Sequence, residues 1–543
     1  MNPENMREEA VTPVMSSLAL AEEQLKLGRT LLANRELQAA AEACRRAVAL
    51  APLNPDCHLE LARVMQKRHC FQEAAESYQK AIQLDNTNIN GYIGLGVMMH
   101  KLGRLPEAIK AYVAALRLKP ESALACTNLG VVCQDMGDWK LAEELLRRAI
   151  TLAPKMVSAL NNLGAFYSKQ ERIEEALACF RSVLRLQPDH AGAHFNIGHL
   201  SEKMGDLVTA ERCYQQALAY KPASGTLQFY LGVLHLLQGR FSPGWQEYES
   251  RWDSRHMRNE KRNFPQPLWR GEELHSETIL LHAEQGLGDT MQFIRYAPLV
   301  AGRGGRVVLE VQPGLRRLAE TVAGVAEVVA QGEPLPAFTW QCPLLSLPLA
   351  FHSDLESIPA SIPYLHAPSE AVEAWSRRLA GPELRVGISW AGNPRHTREK
   401  QRTVPVALLA ELAKIPGTRL YSLQKGPVTA QLSELPDPTA ITDLSAEQSD
   451  FSDTAAIVAN LDLVISIDTS VAHLTGAMGK PLWVLLHESP DWRWLTERTD
   501  SPWYPSARLF RRQSGENWEA VLQRLRPEME KLAQEKAGSE PSK

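Results

Sequence analysis

The chain has 543 residues, of which 44% are hydrophobic and 22% are charged, and its formal net charge at pH 7 is -4. A single hydrophobic core stops growing at roughly 250–300 residues, so this length predicts more than one folding unit. The small negative charge excludes a general electrostatic attraction to nucleic acid or to anionic membranes. We therefore predict no nucleic-acid partner, and an anionic ligand requires a local site.

The start of the chain shows neither a secretory signal nor a membrane span. Glu4, Glu8 and Glu9 replace the basic start of a signal peptide. Apolar runs such as 482–486 are far shorter than the roughly 20 residues that a spanning helix needs. We predict an N-terminal extension over 1–20, no membrane span and a cytoplasmic location.

Small residues recur at a strict interval of 34 residues through the first half of the chain. The series consists of Gly28, Ala62, Gly96, Gly130, Gly164, Gly198 and Gly232. Two antiparallel helices that approach closely need a small residue where they cross, and prolines at the same period end the second helix of most pairs. The spacing predicts about seven helix pairs over 21–258.

The 34-residue period and its small and aromatic positions resemble the tetratricopeptide repeat family. Such repeats stack into a solenoid that is stabilised by contacts between neighbouring units. The resemblance implies an α-helical tetratricopeptide solenoid whose concave face binds a protein or peptide partner.

Three asparagines occupy equivalent positions in successive repeats, two residues before the small residue of the crossing. They are Asn128, Asn162 and Asn196. Each carboxamide offers a donor and an acceptor to an extended peptide backbone, which predicts a partner-binding ladder. The ladder is similar to that of the eukaryotic protein O-linked N-acetylglucosamine transferase. The alternative is that solvated asparagines recur because repeats duplicate.

The second half of the chain changes character after Trp252. A polar segment with Pro265 and Pro267 predicts a linker over 259–275. Short apolar runs then alternate with helical patterns, which is typical of parallel sheets of Rossmann type. The predicted strands are 278–282, 306–311, 385–390, 419–423, 463–467 and 482–486.

These strands fall into two groups, which predicts an α/β region with two lobes and a cleft between them. The first lobe is predicted over 276–372 and the second over 383–535. A helical pattern over 516–534 predicts a final helix that packs across the lobes. Residues 536–543 are predicted to be a disordered tail.

In each predicted lobe, a polar loop follows a strand at the sheet edge where parallel sheets bind ligands. The strand is 278–282 in the first lobe and 463–467 in the second. In the first lobe the loop contains Gly286, Gly288 and Asp289. In the second lobe, residues 468–471 open a helix, and their amides and hydroxyl groups predict a diphosphate seat. These four residues are Asp468, Thr469, Ser470 and Val471.

Two further residues are predicted at the same edge, Asn393 and Lys425, and the lysine is a suitable cation for a phosphate. The alternative interpretation of both loops is structural. Asp289 and Asp468 would then be helix caps, and His473 would be a packed core side chain.

Gly288-Asp289, the run 468–474 and Gly479-Lys480-Pro481 resemble the bacterial heptosyltransferase-type glycosyltransferases, over about 276–535. The resemblance implies two Rossmann-like lobes of GT-B type and inverting transfer from a nucleotide-sugar donor without a metal. It implies that Asp289 is the base and that 468–471 hold the donor diphosphate and sugar. No cofactor is implied beyond this nucleotide-sugar co-substrate.

Metal-dependent transferases with two carboxylates need an Asp-x-Asp motif, and this sequence contains none. Together with the lack of a Cys-x-x-Cys pair, this predicts no metal site. We therefore expect a metal-independent, inverting glycosyltransferase whose acceptor is recruited by the repeats, with Asp289 as catalytic base and His473 as the alternative base.

Two other functions stay open at this point. The first is a catalytically silent tetratricopeptide scaffold or nucleotide-sugar-binding interaction protein, and the second is a protein O-glycosyltransferase. The tryptophans at 492, 494 and 503 are equally compatible with stacking on a sugar or base and with a place in the core.

Overall fold

The computed structural model of the chain describes residues 5–254, 257, 260–393 and 399–538. The chain consists of two compact units, Met1–Leu200 and Ser201–Lys543. No helix of the described residues is long and apolar enough to cross a membrane.

Up to residue 254, the described chain folds into fourteen α-helices that follow one another as seven pairs. They are α1 Asn5–Ala33, α2 Leu37–Leu50, α3 Pro55–Lys67, α4 Phe71–Leu84, α5 Ile89–Lys101, α6 Leu105–Leu118, α7 Ala123–Asp135, α8 Trp139–Leu152, α9 Val157–Lys169, α10 Ile173–Leu186, α11 Ala191–Lys203, α12 Leu207–Tyr220, α13 Gly225–Leu237 and α14 Phe241–Tyr248. This array confirms the predicted helical solenoid.

The 34-residue glycine series marks the points where the two helices of a pair meet. A Cβ atom on Gly96 would lie 2.5 Å from Cε1 of Tyr112, and one on Gly164 would lie 2.7 Å from Cε1 of Phe180. Real Cβ atoms do not approach other atoms this closely. The aromatic ring of the second helix therefore fills the space that the missing side chain leaves on the first.

The remainder of the chain contains ten strands within its described residues. They are β1 Thr278–His282, β2 Arg306–Val311, β3 Val325–Ala330, β4 Trp340–Pro343, β5 Leu384–Ser389, β6 Thr418–Ser422, β7 Ile441–Asp443, β8 Leu463–Ile467, β9 Leu482–Leu486 and β10 Ala507–Arg511. The helices of this region are α15 Leu287–Phe293, α16 Ala297–Ala301, α17 Arg316–Ala319, α18 Leu347–Ala350, α19 Ser369–Arg378, α20 Glu399–Arg402, α21 Val406–Ala410, α22 Phe451–Ala459, α23 Ser470–Ala477 and α24 Trp518–Gly538.

The strands form two parallel sheets. The first has the order β3-β2-β1-β4 and the second the order β10-β9-β8-β5-β6-β7. Every strand pair in both sheets is parallel. Because parallel strands point the same way, the loops that follow β1, β5, β6 and β8 emerge at one edge of their sheet. This confirms the predicted parallel α/β region.

The last helix pair, α13 and α14, shares a core with the first sheet and with aromatic residues near the end of the chain. Trp245 of α14 contacts Trp492 edge-on, with ring centroids 5.2 Å apart, and also lies against Phe293 and Trp503. The tryptophans at 492, 494 and 503 are at most 3% exposed. These tryptophans therefore belong to the core, and the alternative interpretation, that they stack on a sugar or base, is wrong.

Two segments pack differently from the expectations. The described part of the predicted linker lies against the first sheet, because Trp269 is buried and Leu268 forms a bridge with Gln341. Helix α24 buries its apolar face in the core of the second sheet, so it does not pack across the lobes as predicted. It extends to Gly538, and the tail residues 539–543 lie outside the described residues.

Candidate functional site

A cleft of about 830 Å³ lies at the ends of β1, β5, β6 and β8, with walls from both lobes. All ten residues that the sequence analysis assigned to a catalytic or donor site line it. They are Gly286, Gly288, Asp289, Asn393, Lys425, Asp468, Thr469, Ser470, Val471 and His473. The fold thus brings together loops that are separated by up to 187 positions along the chain.

In the first lobe, the loop after β1 turns into α15. Asp289 is the third residue of this helix, and its Oδ2 accepts a hydrogen bond of 2.8 Å from the backbone N–H of Gly286. Gly286, not Asp289, occupies the N-cap position. A Cβ atom on Gly288 would lie 2.6 Å from Cδ2 of His473, so the glycine permits a close approach of α15 to α23.

Arg493 binds the second oxygen of Asp289, a contact that joins the two lobes. Its Nη2 donates to Asp289 Oδ1, its Nη1 to Asp491 Oδ1 at 2.7 Å, and its Nε to Gln292 Oε1 at 2.7 Å. Burial opposes the positive charge, but the carboxylates of Asp491 and Asp289 outweigh it and hold the pKa of Arg493 above its usual range. Both carboxylate oxygens of Asp289 are therefore engaged, one by Gly286 and one by Arg493.

In the second lobe, the loop after β8 opens α23. Thr469 is the N-cap residue, in place of the predicted Asp468, and its side chain makes no capping hydrogen bond. Its hydroxyl instead lies 3.0 Å from Ser466 Oγ. The first N–H groups of a helix have no acceptor within the helix, so those of Ser470 and Val471 are oriented for an external anion.

Asp468 and His473 lie at the floor of the cleft. The imidazole Nε2 is 3.6 Å from Asp468 Oδ1, and Nδ1 is hydrogen-bonded to the Tyr504 hydroxyl at 2.8 Å. Burial favours the neutral acid, but His473 and the positive charge of Arg402 outweigh it and hold the pKa of Asp468 well below its usual range. Asp468 is therefore an anion at neutral pH, and the buried His473 is fixed by its neighbours.

Gln424 fixes the loop after β5. Its Oε1 accepts hydrogen bonds of 3.1 Å from the backbone N–H groups of both Trp390 and Ala391, and one of 3.2 Å from the Ser389 hydroxyl. Asn393, two residues further on, is exposed at the cleft. Gln424 thus positions the loop that carries Asn393.

Lys425 lines the cleft, but its ammonium group already has partners. It donates to the backbone carbonyl of Ser445 at 3.1 Å and to that of Gln448. An ammonium group has three N–H donors, so one remains for a ligand. The lysine therefore stabilises the turn after β7 in addition to its predicted place in the cleft.

Arg493 and the roles of Gln424 and Gln292 were not predicted from the sequence. Arg493 lies in a tryptophan-rich segment for which the sequence predicted roles of the tryptophan rings only. Its partner Asp289 lies 204 residues away in sequence, and no local pattern could indicate that pairing.

The asparagine ladder lies within the first unit. Asn128, Asn162 and Asn196 are all partly exposed, and Asn196 Nδ2 lies 3.5 Å from Asn161 Oδ1, at the limit of a hydrogen bond. None of the three residues is therefore fully buried.

Among the described residues, no group of three or more His, Cys, Asp or Glu side chains is arranged to hold a metal ion. All eight cysteines are free thiols.

Comparison with known proteins supports the class of the helical array. Profiles described as tetratricopeptide repeat match residues 125–156 and 155–223, and one described as TPR repeat matches 71–103 and 98–137. About the first 230 residues of the chain are therefore tetratricopeptide repeats. Proteins with these repeats commonly bind protein or peptide partners, which suggests a protein-interaction scaffold.

The chain is similar to Protein FlbA of Caulobacter vibrioides, with 26% identity over 314 residues. The match covers 53% of this chain and 52% of FlbA, so the chain spans about half the length of that curated relative.

Solved structures with similarity to this chain include several repeat proteins. One is pilF of Pseudomonas aeruginosa, with 22% identity, 40% of this chain and 98% of that chain covered, and a TM-score of 0.34. Another is a tetratricopeptide repeat protein from Parabacteroides merdae, with 18% identity, coverages of 45% and 97%, and a TM-score of 0.38.

Proposed function

We propose that the region after the repeats is a metal-independent, inverting glycosyltransferase of GT-B type, and that the repeats recruit its acceptor. The donor is a nucleotide sugar that binds in the cleft between the two sheets. The observation that carries this proposal is the convergence of two loop types on one cleft of about 830 Å³. One loop offers a carboxylate and the other offers free helix N–H groups.

The proposed chemistry assigns one role to the carboxylate of the first loop and another to the helix N–H groups of the second. A hydroxyl oxygen of the acceptor attacks the anomeric carbon of the sugar from the face opposite the diphosphate, and the bond from that carbon to the diphosphate oxygen breaks. Asp289 accepts the hydroxyl proton, while the N–H groups of Ser470 and Val471 and the cation of Lys425 stabilise the departing diphosphate. The anomeric configuration inverts, and nucleoside diphosphate is released.

The geometry favours Asp289 over His473 as the base. His473 is 5% exposed, and its Nδ1 is hydrogen-bonded to Tyr504. Asp289 retains 19% of its side-chain exposure at the cleft surface. An acceptor hydroxyl can therefore approach Asp289 with less rearrangement than it needs to approach His473.

The test is the release of nucleoside diphosphate when the purified full-length chain is incubated with a panel of labelled nucleotide sugars and candidate acceptors. Asp289→Asn should reduce turnover by about 100-fold or more, in the range expected for loss of a general base, and Lys425→Ala should weaken donor binding. Gly314→Ala is the matched control, because its added Cβ meets nothing within 4 Å at the cleft wall. Absence of both donor binding and turnover for every donor would refute the proposal.

A second candidate is a catalytically silent scaffold that binds a nucleotide sugar without transferring it. The engagement of both Asp289 oxygens, by Gly286 and Arg493, favours this candidate because it withdraws the carboxylate from general-base chemistry. Donor binding without turnover, in wild type and in Asp289→Asn alike, would identify it.

A third candidate is a protein O-glycosyltransferase, in which the acceptor is a polypeptide held by the asparagine ladder. The partial exposure of its three asparagines favours this candidate. Mass spectrometry of captured proteins, with wild type and with Asn128, Asn162 and Asn196 all replaced by alanine, tests it. Asn86→Ala is a suitable control at an exposed position outside the ladder. Captured partners that are never glycosylated would contradict a polypeptide acceptor.

A further inference from the structure

Arg493 forms part of the cleft wall, and each of its three side-chain nitrogens donates a hydrogen bond. It is 7% exposed, its guanidinium lies over the Trp492 ring at 4.3 Å, and it donates to Asp289, Asp491 and Gln292. Two of these acceptors are carboxylates, so the guanidinium is a buried cation in an anionic setting. Such a group can exchange one anion for another without losing its charge balance.

The contact with Arg493 masks Asp289 as a base. Arg493 donates to Oδ1 of Asp289, so this oxygen cannot accept the proton of a hydroxyl group while the contact persists. With Gly286 N–H on the other oxygen, Asp289 in the unliganded protein is poorly placed to deprotonate a hydroxyl. Its release requires that Arg493 find another anion.

Arg493 lines the same cleft as the predicted diphosphate seat at residues 468–471. His473, in the first turn of α23, stacks on the ring of Trp494, the residue after Arg493, with centroids 5.6 Å apart. The same histidine lies against Gly288, the residue before Asp289. The guanidinium of Arg493, the carboxylate of Asp289 and the first turn of α23 therefore line the same cleft, and His473 links the neighbours of all three.

A diphosphate competes well with a carboxylate for this guanidinium. It carries more negative charge, and its oxygens match the planar fork of an arginine in a bidentate contact. In a cleft partly shielded from water, the extra charge has a larger effect than in bulk solvent.

We propose that Arg493 exchanges Asp289 for the donor diphosphate, so that donor binding itself releases the base. The proposal rests on the proposed transferase function and deepens it, because it makes Arg493 a donor-binding residue and predicts that the donor binds before the acceptor is activated. Without a donor, Asp289 stays masked and the site is inactive.

The test measures binding of inorganic pyrophosphate to the full-length chain by titration calorimetry at constant ionic strength. Asp289→Asn removes the competitor of the anion, and Asp450→Asn removes an equal charge from the same cleft. Asp450 lines the same cleft as Asp289, but its ion-pair partner is Arg317, at 3.1 Å, and not Arg493. The side chains of Asp450 and Asp289 are equally exposed, at 19%. Asparagine also retains the N-cap role of Asp450 in α22.

Asp289→Asn should raise the affinity for pyrophosphate by about tenfold more than Asp450→Asn does, as expected for loss of one charge-assisted competitor. In an Arg493→Gln background, the affinity should fall and the additional gain from Asp289→Asn should vanish. Circular dichroism of each variant verifies that it is folded, and the comparison of the two single Asp variants stands even if Arg493→Gln does not fold.

Three results would overturn the exchange: equal gains from Asp289→Asn and Asp450→Asn, persistence of the Asp289→Asn gain without Arg493, or no pyrophosphate binding by any variant. These outcomes are distinct from failure of the transferase proposal. If a donor is turned over but Asp289→Asn and Asp450→Asn gain equally in pyrophosphate affinity, the transferase proposal is retained and the exchange is refuted. An Arg493-dependent gain without turnover of any donor supports the exchange and refutes the transferase.

Discussion

Arg251 and Glu284 form a bidentate ion pair that connects the end of the last helical repeat to the loop before the candidate base, Asp289. Arg251 Nε lies 3.0 Å from Glu284 Oε2, and Nη2 lies 2.8 Å from Oε1. The two side chains are 0% and 3% exposed. The next residue, Gln285, donates a hydrogen bond of 3.1 Å to the Tyr248 hydroxyl of α14. The repeat thereby helps to position the loop that leads to Asp289.

Loss of Arg251 should therefore destabilise the second unit strongly. Arg251→Met leaves Glu284 buried without its charge partner, which costs about 3–5 kcal/mol for a pair of this kind. Scanning calorimetry should show a large fall in the unfolding midpoint. Arg508→Gln breaks an ion pair with Glu528 whose side chains are 46% and 41% exposed, and it should change stability by less than about 1 kcal/mol. Similar effects of the two substitutions would contradict this account.

Removal of the last repeat should expose the aromatic core of the region that follows it. A chain of residues 205–543 keeps α13 and α14 and should unfold cooperatively with a defined near-ultraviolet dichroism spectrum. A chain of residues 259–543 lacks Trp245, which packs on Trp492 and Trp503, and should aggregate or lose that spectrum. Equal spectra and equal unfolding midpoints for the two chains would show that the repeat is dispensable.

The strands in the middle of each sheet were predictable, whereas those at the edges were not. The predicted ranges for β1, β2, β8 and β9 coincide with the structure, because strands covered on both faces are continuous apolar runs. The missed strands, β3, β4, β7 and β10, are the four edge strands of the two sheets. An edge strand is often short, as the three residues of β7 illustrate, or partly exposed, as most of β3 is, and so it has a weaker apolar signal.

The candidate site was predictable for a related reason. Its loops follow the strongest apolar runs, so the positions of Asp289 and Thr469 relative to a sheet edge could be derived from the strand pattern alone. The contact between Asp289 and Arg493 depends on how two lobes pack, which a strand pattern does not contain. The same holds for the burial of Trp492, which a neighbouring helical repeat covers.

A methyl group at position 288 should disrupt the cleft. The Cβ of Gly288→Ala would lie 2.6 Å from Cδ2 of His473, so α15 and α23 must separate, at a cost of about 1–3 kcal/mol. Pyrophosphate binding should weaken along with thermal stability. Gly314→Ala adds the same methyl group to the cleft wall without a contact within 4 Å, and it should leave both properties unchanged. Equal effects at the two glycines would contradict the close helix approach.

The stability of the second unit should fall as the pH decreases from about 6.5 to about 4. Burial lowers the pKa of His282 from 6.5 to about 4, and its contact with Gln341 opposes this only in part. Over this range, His282 binds a proton in the unfolded chain but not in the folded chain. The free energy of unfolding therefore falls by about 1.4 kcal/mol per pH unit as the pH decreases. Above pH 6.5 the histidine is neutral in both states and has no such effect.

Urea unfolding at several pH values, followed by tryptophan fluorescence, measures this dependence. His282→Gln should flatten the fall in stability between pH 6.5 and 4. His366→Gln, at an exposed position, should leave the fall as it is in the wild type. An unchanged slope in His282→Gln would show that other groups produce it.

A structure of the chain crystallised with a nucleotide sugar that it binds shows most directly whether the cleft is a donor site. We predict that the diphosphate lies at the first turn of α23, within hydrogen-bonding distance of the Ser470 and Val471 N–H groups, and that the sugar faces Asp289. Arg493 should then contact the diphosphate. A diphosphate bound outside this cleft, or a cleft that stays empty while the nucleotide sugar binds elsewhere, would contradict the account.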